Sequence, residues 1–429
     1  MRLPSPFRPA LPEALAVLVA AAVSLTACGD SDPPEMPVAA GIPEALAGIR
    51  AETLSELRYA FSLSVPEAAS EPVTGEARIR FSRDDDLGRA VVLDFTNPEA
   101  RVSEVRVDGA AVEPRFVADH VVLPPGAFDG RGEHEVVLRF TAGDDALNRN
   151  EGFLYTVFVP DRAHFSLPVF DQPDLKGRVR WSLRIPGTWT AMANGALLDS
   201  ARIAATGEDD DPGVLVMEFA ESEPIPTYLF AFAAGEFLVE RAERDGRVLE
   251  MFHRETDPEK VARNRQAIFD LHAAAIRWLE DYTGIDYPFG KFGFVLIPPF
   301  QFGGMEHPGA VTYRASSLML EESATQAQML GRASLIAHET AHMWFGDLVT
   351  MRWFDDVWTK EVFANFMAAK IVHPSFPEVN HELRFLLAHH PSAYGVDRTR
   401  GANPIRQPLA NLNEAGSLYG AIIYQKAPI

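Results

Sequence analysis

The residues best suited to chemistry lie in the pentapeptide His338-Glu339-Thr340-Ala341-His342. Two histidines four positions apart on a helix project from one face, so both imidazoles can reach a single metal ion. Eighteen residues separate His342 from Glu361, which lies in a second helix-like segment. The pattern predicts one zinc ion bound by His338, His342 and Glu361, with a fourth position open to water. Glu339 lies between the ligands and is the natural general base for that water.

The H-E-x-x-H pattern alone does not establish a metal site, because histidines with this spacing also occur as packed or solvated helix residues. Residues 333–345 are compatible with a helix throughout. Gly346 follows where a helix C-terminus favours a residue with positive φ. Glu361, the third predicted ligand, follows at a sequence separation compatible with a shared metal site and lies in its own helical segment. These additional features favour zinc.

Two segments resemble one known family. The run HETAHMWFGDLVTMRWFDDVWTKEVFANF, from His338 to Phe366, resembles the zinc core of the aminopeptidase N-type metallopeptidases, the gluzincin aminopeptidases that include leukotriene-A hydrolase. Upstream, GGMEHPG at 303–309 resembles the G-x-M-E-N exopeptidase motif of that family. The resemblance implies a zinc-dependent aminopeptidase that acts on peptides with a free N-terminus.

The family resemblance assigns substrate contacts to the upstream motif. It implies that Glu306 binds the substrate α-ammonium through charge-assisted hydrogen bonds. Its neighbours would lie along the substrate: Gly303, Gly304, Met305 and His307. Glycine residues permit close approach of a ligand to the backbone.

A tyrosine downstream of the ligands would stabilise the oxyanion. Spacing alone does not decide between Tyr419 and Tyr424. Either tyrosine could instead have a purely structural role as a packed side chain. The resemblance favours Tyr424, which matches the family's Y-x-K-G position as a catalytic residue.

The sequence also departs from the family pattern. His307 replaces the motif's asparagine, and Lys360-Glu361-Val362 replaces the usual Asn-Glu-Gly around the third ligand. The resemblance implies further catalytic helices beyond Ile429, so we expect the chain to be an N-terminal fragment of a longer enzyme. On that basis we expect the apolar residues near the end of the chain to face water: Leu418, Ile422 and Ile423.

The N-terminus is typical of a targeting segment. Residues 1–27 combine arginines with a short apolar run, and LTACG at 25–29 resembles a bacterial lipoprotein signal with lipidation at Cys28. Residues 28–43 are rich in Asp, Pro and Ala and predict a flexible tether. We therefore expect a lipoprotein anchored in the bacterial cell envelope, facing the periplasm or the exterior.

The rest of the chain predicts two domains, a β domain followed by an α/β domain. Residues 44–245 show strand patterns at 77–81, 102–107, 135–140, 179–185 and 214–219, punctuated by Gly, Pro and Asp. They predict an antiparallel β-sandwich or saddle. Residues 246–429 would form a truncated thermolysin-like catalytic domain. In it, Asp257 caps a helix whose apolar stripe runs from Val261 to Tyr282.

Composition narrows the functional classes. A formal net charge of −21 argues against nucleic acid or an anionic membrane surface as a binding target. The membrane contact we expect is through the lipid anchor alone. Two alternatives remain open: a bifunctional peptidase and epoxide hydrolase, and a non-catalytic surface lipoprotein that holds zinc and binds peptides.

Overall fold

The computed structural model describes residues 35–204, 213–420 and 422–429. The predicted signal segment and Cys28 lie outside these ranges. Along the described chain, strands dominate the first half and helices dominate the last third. None of the described helices combines the length and apolar character needed to cross a bilayer.

Within residues 35–204 and 213–235, the N-terminal half has fifteen strands in three sheets. They are β1 (Leu54–Ser64), β2 (Thr74–Arg83), β3 (Val91–Asp94), β4 (Val102–Val107), β5 (Ala110–Ala111), β6 (Arg115–Val117), β7 (His120–Leu123), β8 (Gly132–Thr141), β9 (Leu147–Asn150), β10 (Phe153–Thr156), β11 (Gly177–Pro186), β12 (Thr190–Ala193), β13 (Leu197–Ile203), β14 (Val214–Phe219) and β15 (Phe232–Gly235). Each of the five predicted strand segments lies within one of these strands.

The largest sheet has eight strands in the order β13-β14-β11-β1-β2-β8-β4-β5. Buried and more exposed residues alternate along β8 and β11, as expected for a sheet with one face on the core. The predicted antiparallel arrangement is wrong at one place, because β1 pairs with β11 in parallel. The chain between those two strands forms most of the other N-terminal strands, which is why their pairing does not follow from local pattern.

The two smaller sheets, β12-β15-β10-β9 and β3-β7-β6, share a core with the large sheet. Aromatic rings fill it: Phe61 packs against Trp181 and Tyr59 against Phe230, each pair with ring centroids 5.2 Å apart. The short helix α1 (Glu44–Thr53) lays Arg50 into the same region, where its guanidinium pairs with buried Asp94.

A further sheet of five strands packs against the helices of the C-terminal part. Its five strands are ordered β16-β17-β18-β20-β19: β16 (Leu238–Arg244), β17 (Arg247–His253), β18 (Phe292–Ile297), β19 (Gly304–Met305) and β20 (Val311–Arg314). β16 pairs along its whole length with β17, so Leu238–Arg244 belongs to this sheet.

The remaining helices are α2 (Pro98–Arg101), α3 (Pro258–Thr283), α4 (Ala315–Leu318), α5 (Gln326–His342), α6 (Trp358–Val372) and α7 (His381–Asp397). The predicted start of α3 is confirmed, since the Asp257 side chain accepts hydrogen bonds from the amides of Glu259 and Lys260. α3, α5 and α6 pack with the five-stranded sheet around a second apolar core. This packing fixes the positions of α5 and α6.

Part of the predicted tether is packed. Met36 and Ile42 are buried, although both fall within residues 28–43. The Ile42 amide donates to Oδ1 of Asn411 at 2.8 Å, and the Leu412 amide donates back to the Ile42 carbonyl at 3.0 Å. These contacts join the beginning of the described chain to its last segments.

Candidate active site

Helices α5 and α6 carry the predicted metal ligands. A capping box between Thr325 and Gln328 starts α5, and the helix ends at His342. His338 and His342 therefore lie one turn apart on a single face, as their spacing predicts. α6 packs against α5 and presents Glu361 from its first turn.

The three predicted ligand side chains converge. The Nε2 atoms of His338 and His342 are 3.1 Å apart. Oε2 of Glu361 lies 3.4 Å from Nε2 of His338 and 3.8 Å from Nε2 of His342. Ligand atoms bound tetrahedrally to zinc at about 2.0–2.1 Å are separated by roughly 3.3 Å. The donor set therefore fits one zinc ion in ligand type, number and spacing.

The surroundings of His342 fix its tautomer. Its Nδ1 lies 3.1 Å from the Phe345 carbonyl oxygen, which can only accept, so Nδ1 carries the hydrogen. The Nε2 lone pair then faces His338 and Glu361. Burial lowers the pKa of His342 to about 4, which keeps the imidazole neutral at pH 7. A neutral imidazole held through its other nitrogen is the form that binds a metal ion.

Glu339 lies beside the ligands, with a carboxylate oxygen within 4.8 Å of donor atoms of both histidines. Burial raises its pKa to about 8, against the opposing charge of His338. A bound divalent cation would lower that value. Gly304 faces this carboxyl so closely that a Cβ there would lie 2.4 Å from Oε1. Only glycine allows the loop and Glu339 to be this close.

A cavity of about 770 Å³ opens over the ligands. The segment 303–306, which includes β19, contributes four of the predicted substrate contacts to its wall: Gly303, Gly304, Met305 and Glu306. His307, the fifth predicted contact, is buried and does not line the cavity, so its contact with substrate stays a prediction. A turn, closed by hydrogen bonds from the His307 amide to Met305 and from the Ala310 amide to His307, directs the ring inward.

Lys360 pairs with Glu306, the predicted ammonium-binding residue. Its Nζ donates to Oε1 of Glu306, lies 3.3 Å from Oε1 of Glu361 and is 5.3 Å from the Tyr228 ring centroid. Burial by itself would raise the pKa of Glu306, but the charge of Lys360 lowers it to about 2. Burial likewise opposes the charge of Lys360, and Glu306 raises the pKa of this lysine well above its usual range. Both groups are therefore charged and neutralise each other.

Tyr419 and Tyr424 both line the cavity, with ring centroids 6.1 Å apart. The Tyr419 hydroxyl is buried without a hydrogen-bond partner within the described ranges. The His389 imidazole donates through Nδ1 to the Tyr424 carbonyl at 3.0 Å, which fixes the backbone of the last turn. Geometry thus places both candidates at the site.

The packing of this last turn corrects another expectation. Leu418 and Ile423 are buried and do not face water. Both belong to the same core as the N-terminal sheets.

The sequence did not predict that two cationic side chains, those of Lys360 and Arg162, line the cavity. It also did not predict that Lys360 pairs with Glu306. Lys360 was detectable as a basic residue next to a ligand in an apolar helical turn. Its partner lies 54 positions away and could not be read from spacing. No local sequence pattern marks Arg162 as a residue of the cavity wall.

Comparison with known proteins agrees with this geometry. Residues 268–429 match the peptidase family M1 domain. The chain is 34% identical over 283 residues to the puromycin-sensitive aminopeptidase of Caenorhabditis elegans, covering 65% of this chain and 29% of that protein. It is 29% identical over 357 residues to the leucyl aminopeptidase of Saccharolobus solfataricus, covering 82% and 43%. It is 30% identical over 341 residues to the aminopeptidase N of Streptomyces lividans, covering 76% and 38%.

Residues 268–429 are therefore those of a peptidase family M1 domain, and the chain as a whole is similar in sequence to aminopeptidases. It spans less than half the length of each of these three relatives.

Proposed function

We propose that this protein is a zinc-dependent aminopeptidase-type hydrolase that cleaves the first peptide bond of its substrates. The observation that carries the proposal is the convergence of His338, His342 and Glu361 with the Glu339 carboxyl in one cavity. In architectural terms, we propose a β-sandwich or saddle followed by a thermolysin-like catalytic unit.

Each side chain has a definable task in this reaction. His338, His342 and Glu361 would hold one zinc ion, which supplies Lewis-acid chemistry and a nucleophile usable at neutral pH when bound. Glu339 accepts a proton from the attacking water and transfers it to the leaving nitrogen. A tyrosine hydroxyl donates to the developing oxyanion, with Tyr424 as the first candidate.

Peptide hydrolysis by the full chain tests this proposal. The zinc-loaded protein is incubated with matched peptides that have either free or N-acylated amino ends, so that the preference at that end does not decide the result. Glu339→Gln should retain zinc and lose most of kcat, because an amide cannot accept the proton. Glu322→Gln is the matched control, since Glu322 is exposed and does not line the cavity. If no peptide is cleaved, or Glu339→Gln remains fully active, the proposed function is wrong.

The localisation is a separate proposal. We propose that Cys28 carries the lipid of an envelope-anchored protein, on the strength of the LTACG sequence at 25–29. Metabolic labelling with palmitate should mark the wild-type chain and not Cys28→Ser. Equal labelling of both proteins would contradict the assignment.

A further inference from the structure

Arg162 brings a positive charge without a carboxylate partner to the cavity wall. Within the described ranges, no carboxylate oxygen lies within ion-pair distance of its guanidinium. Lys360, the other Lys or Arg among the described lining residues, is paired with Glu306. An arginine side chain stays charged and has five N–H donors but no acceptor. The guanidinium of Arg162 therefore has donors that the described chain does not satisfy.

The guanidinium of Arg162 is held in place on one side and open on the other. Its Nη2 donates to the Asp145 carbonyl oxygen, and its central carbon lies 5.5 Å from the centroid of the Phe165 ring. The Arg162 amide donates to the Phe158 carbonyl at 2.7 Å, which fixes the backbone. In the described part of the chain, Nη1 has no protein acceptor and is not among the buried unpartnered atoms. Its two N–H groups are thus accessible to a ligand, and a fork held in this way loses little entropy on binding.

The other charges of the wall cancel when zinc is bound. Within the described ranges the wall has three carboxylates, which are those of Glu306, Glu339 and Glu361. A zinc ion and Lys360 together supply three positive charges. Asp161, next to Arg162 in the chain, does not neutralise it, because burial and the charge of Asp171 raise the pKa of Asp161 to about 7. A negatively charged group on the ligand is what completes the charge balance at Arg162.

The cavity has room for a short peptide, since its volume of about 770 Å³ is typical of small-ligand sites. Arg162 lies in the wall with Val159 and Pro160 of the N-terminal part, whereas the predicted metal ligands lie on α5 and α6. A peptide whose first bond lies at the ligands extends from them by about 3.3–3.6 Å per residue. Its acidic groups are carboxylates, and a guanidinium fork matches the geometry of a carboxylate.

We infer that Arg162 binds a carboxylate of the substrate, so that this cavity selects short peptides with an acidic group at the distance set by Arg162. The inference rests on the proposed function and specifies its substrate class. Two sources have this chemistry, the carboxyl end of a short peptide and an acidic side chain. Arg162 acts as a specificity residue for either one.

Calorimetry on the zinc-loaded full chain carrying Glu339→Gln tests the inference without cleavage of the ligand. The probes are leucyl-alanine peptides of two, three and four residues, each as the free acid and as the C-terminal amide. A leucyl-glutamyl-alanine amide and its glutaminyl counterpart test the side-chain source. At least one acidic probe should bind roughly tenfold more tightly than its neutral counterpart, the size of one charge-assisted hydrogen bond. The probe that shows this ratio identifies the source.

The Kd ratio within each pair separates carboxylate binding from a structural role of Arg162, because a general distortion weakens both members. Arg162→Met should reduce the ratio to about one, and Arg162→Lys should retain part of it. Arg162→Gln is a second neutral variant if the methionine variant does not fold. Arg263→Met is the matched control, since Arg263 is exposed on α3 and does not line the cavity. It removes the same formal charge and should keep the ratio.

The inference is overturned if no acidic probe binds more tightly than its neutral counterpart. It is also overturned if the ratio persists in Arg162→Met, because zinc or Lys360 then receives the carboxylate. Failure of the proposed function has a different signature, which is the absence of Glu339-dependent cleavage of any peptide by the zinc-loaded protein. Cleavage of acids and amides with equal kcat/KM would uphold the function and reject the role of Arg162.

Discussion

Replacement of Gly304 by alanine should disable the site while leaving its ligands in place. A Cβ at position 304 would lie 2.4 Å from Oε1, 2.5 Å from Cδ and 2.6 Å from Cγ of Glu339. Carbon atoms in favourable contact are about 3.5–4.0 Å apart, so the carboxyl must move by roughly 1 Å. The Glu339 side chain can move into the adjoining cavity, and the fold should therefore tolerate the change.

The expected cost is catalytic. A misplacement of about 1 Å at a reacting group reduces kcat by around a hundredfold. The three atoms nearest the new methyl group all belong to Glu339 and none to a ligand, so zinc content should remain at the wild-type level. Gly331→Ala is the matched control, because Gly331 lies on α5 outside the cavity wall and a Cβ there would have no neighbour within 4 Å beyond its own helix backbone.

Steady-state kinetics with a zinc assay on each preparation decides the outcome. Gly304→Ala should lose kcat and Gly331→Ala should retain it. In a Glu339→Gln background, Gly304→Ala should cause little further loss, since both changes remove the same function. The reasoning is refuted if Gly304→Ala keeps wild-type kcat, or if both alanine variants lose activity to the same extent.

Three further outcomes follow from the same structure. His338→Ala should lose zinc binding, measured by metal analysis after dialysis, and unchanged zinc would reject the ligand set. Arg50→Met should lower the free energy of unfolding by about 3–5 kcal/mol, because the buried Asp94 carboxylate loses the guanidinium that pairs with it; a urea titration showing less than about 1 kcal/mol would contradict this. Burial lowers the pKa of His272 to about 4. Its folded value lies below the unfolded value near 6.5, so stability is lost as pH falls from about 6.5 towards 4, by roughly 3 kcal/mol. His272→Gln should remove that part of the pH dependence, and an unchanged pH profile of the urea midpoint would contradict it.

Local sequence signals predicted the elements that carry the chemistry. The four-residue spacing of His338 and His342 required only a helix, and α5 supplies one. Asp257 and Pro258 marked the start of α3 because capping is decided within one turn of the chain. The strand patterns at 102–107 and 214–219 coincide with β4 and β14, because alternation of apolar residues is also a local signal.

Long-range contacts account for what the sequence did not predict. The parallel pairing of β1 with β11 joins segments more than a hundred residues apart, and local alternation carries no information about it. Met36 and Ile42 fall within the predicted flexible tether, yet they are buried in the fold.

At the site, the direction of side chains was the missing information. His307 follows Glu306 in the motif, but the turn places only Glu306 in the cavity wall. Lys360 was visible next to Glu361, while its pairing with Glu306 depends on how α6 packs against the substrate loop.

The central claim is that this cavity binds one zinc ion through three named side chains. Anomalous diffraction from crystals of the zinc-loaded protein, recorded on both sides of the zinc absorption edge, tests this claim directly. We expect a single strong peak at about 2.0–2.2 Å from Nε2 of His338, Nε2 of His342 and a carboxylate oxygen of Glu361. A difference map without a peak between these atoms, or with its main peak at other residues, would contradict the account.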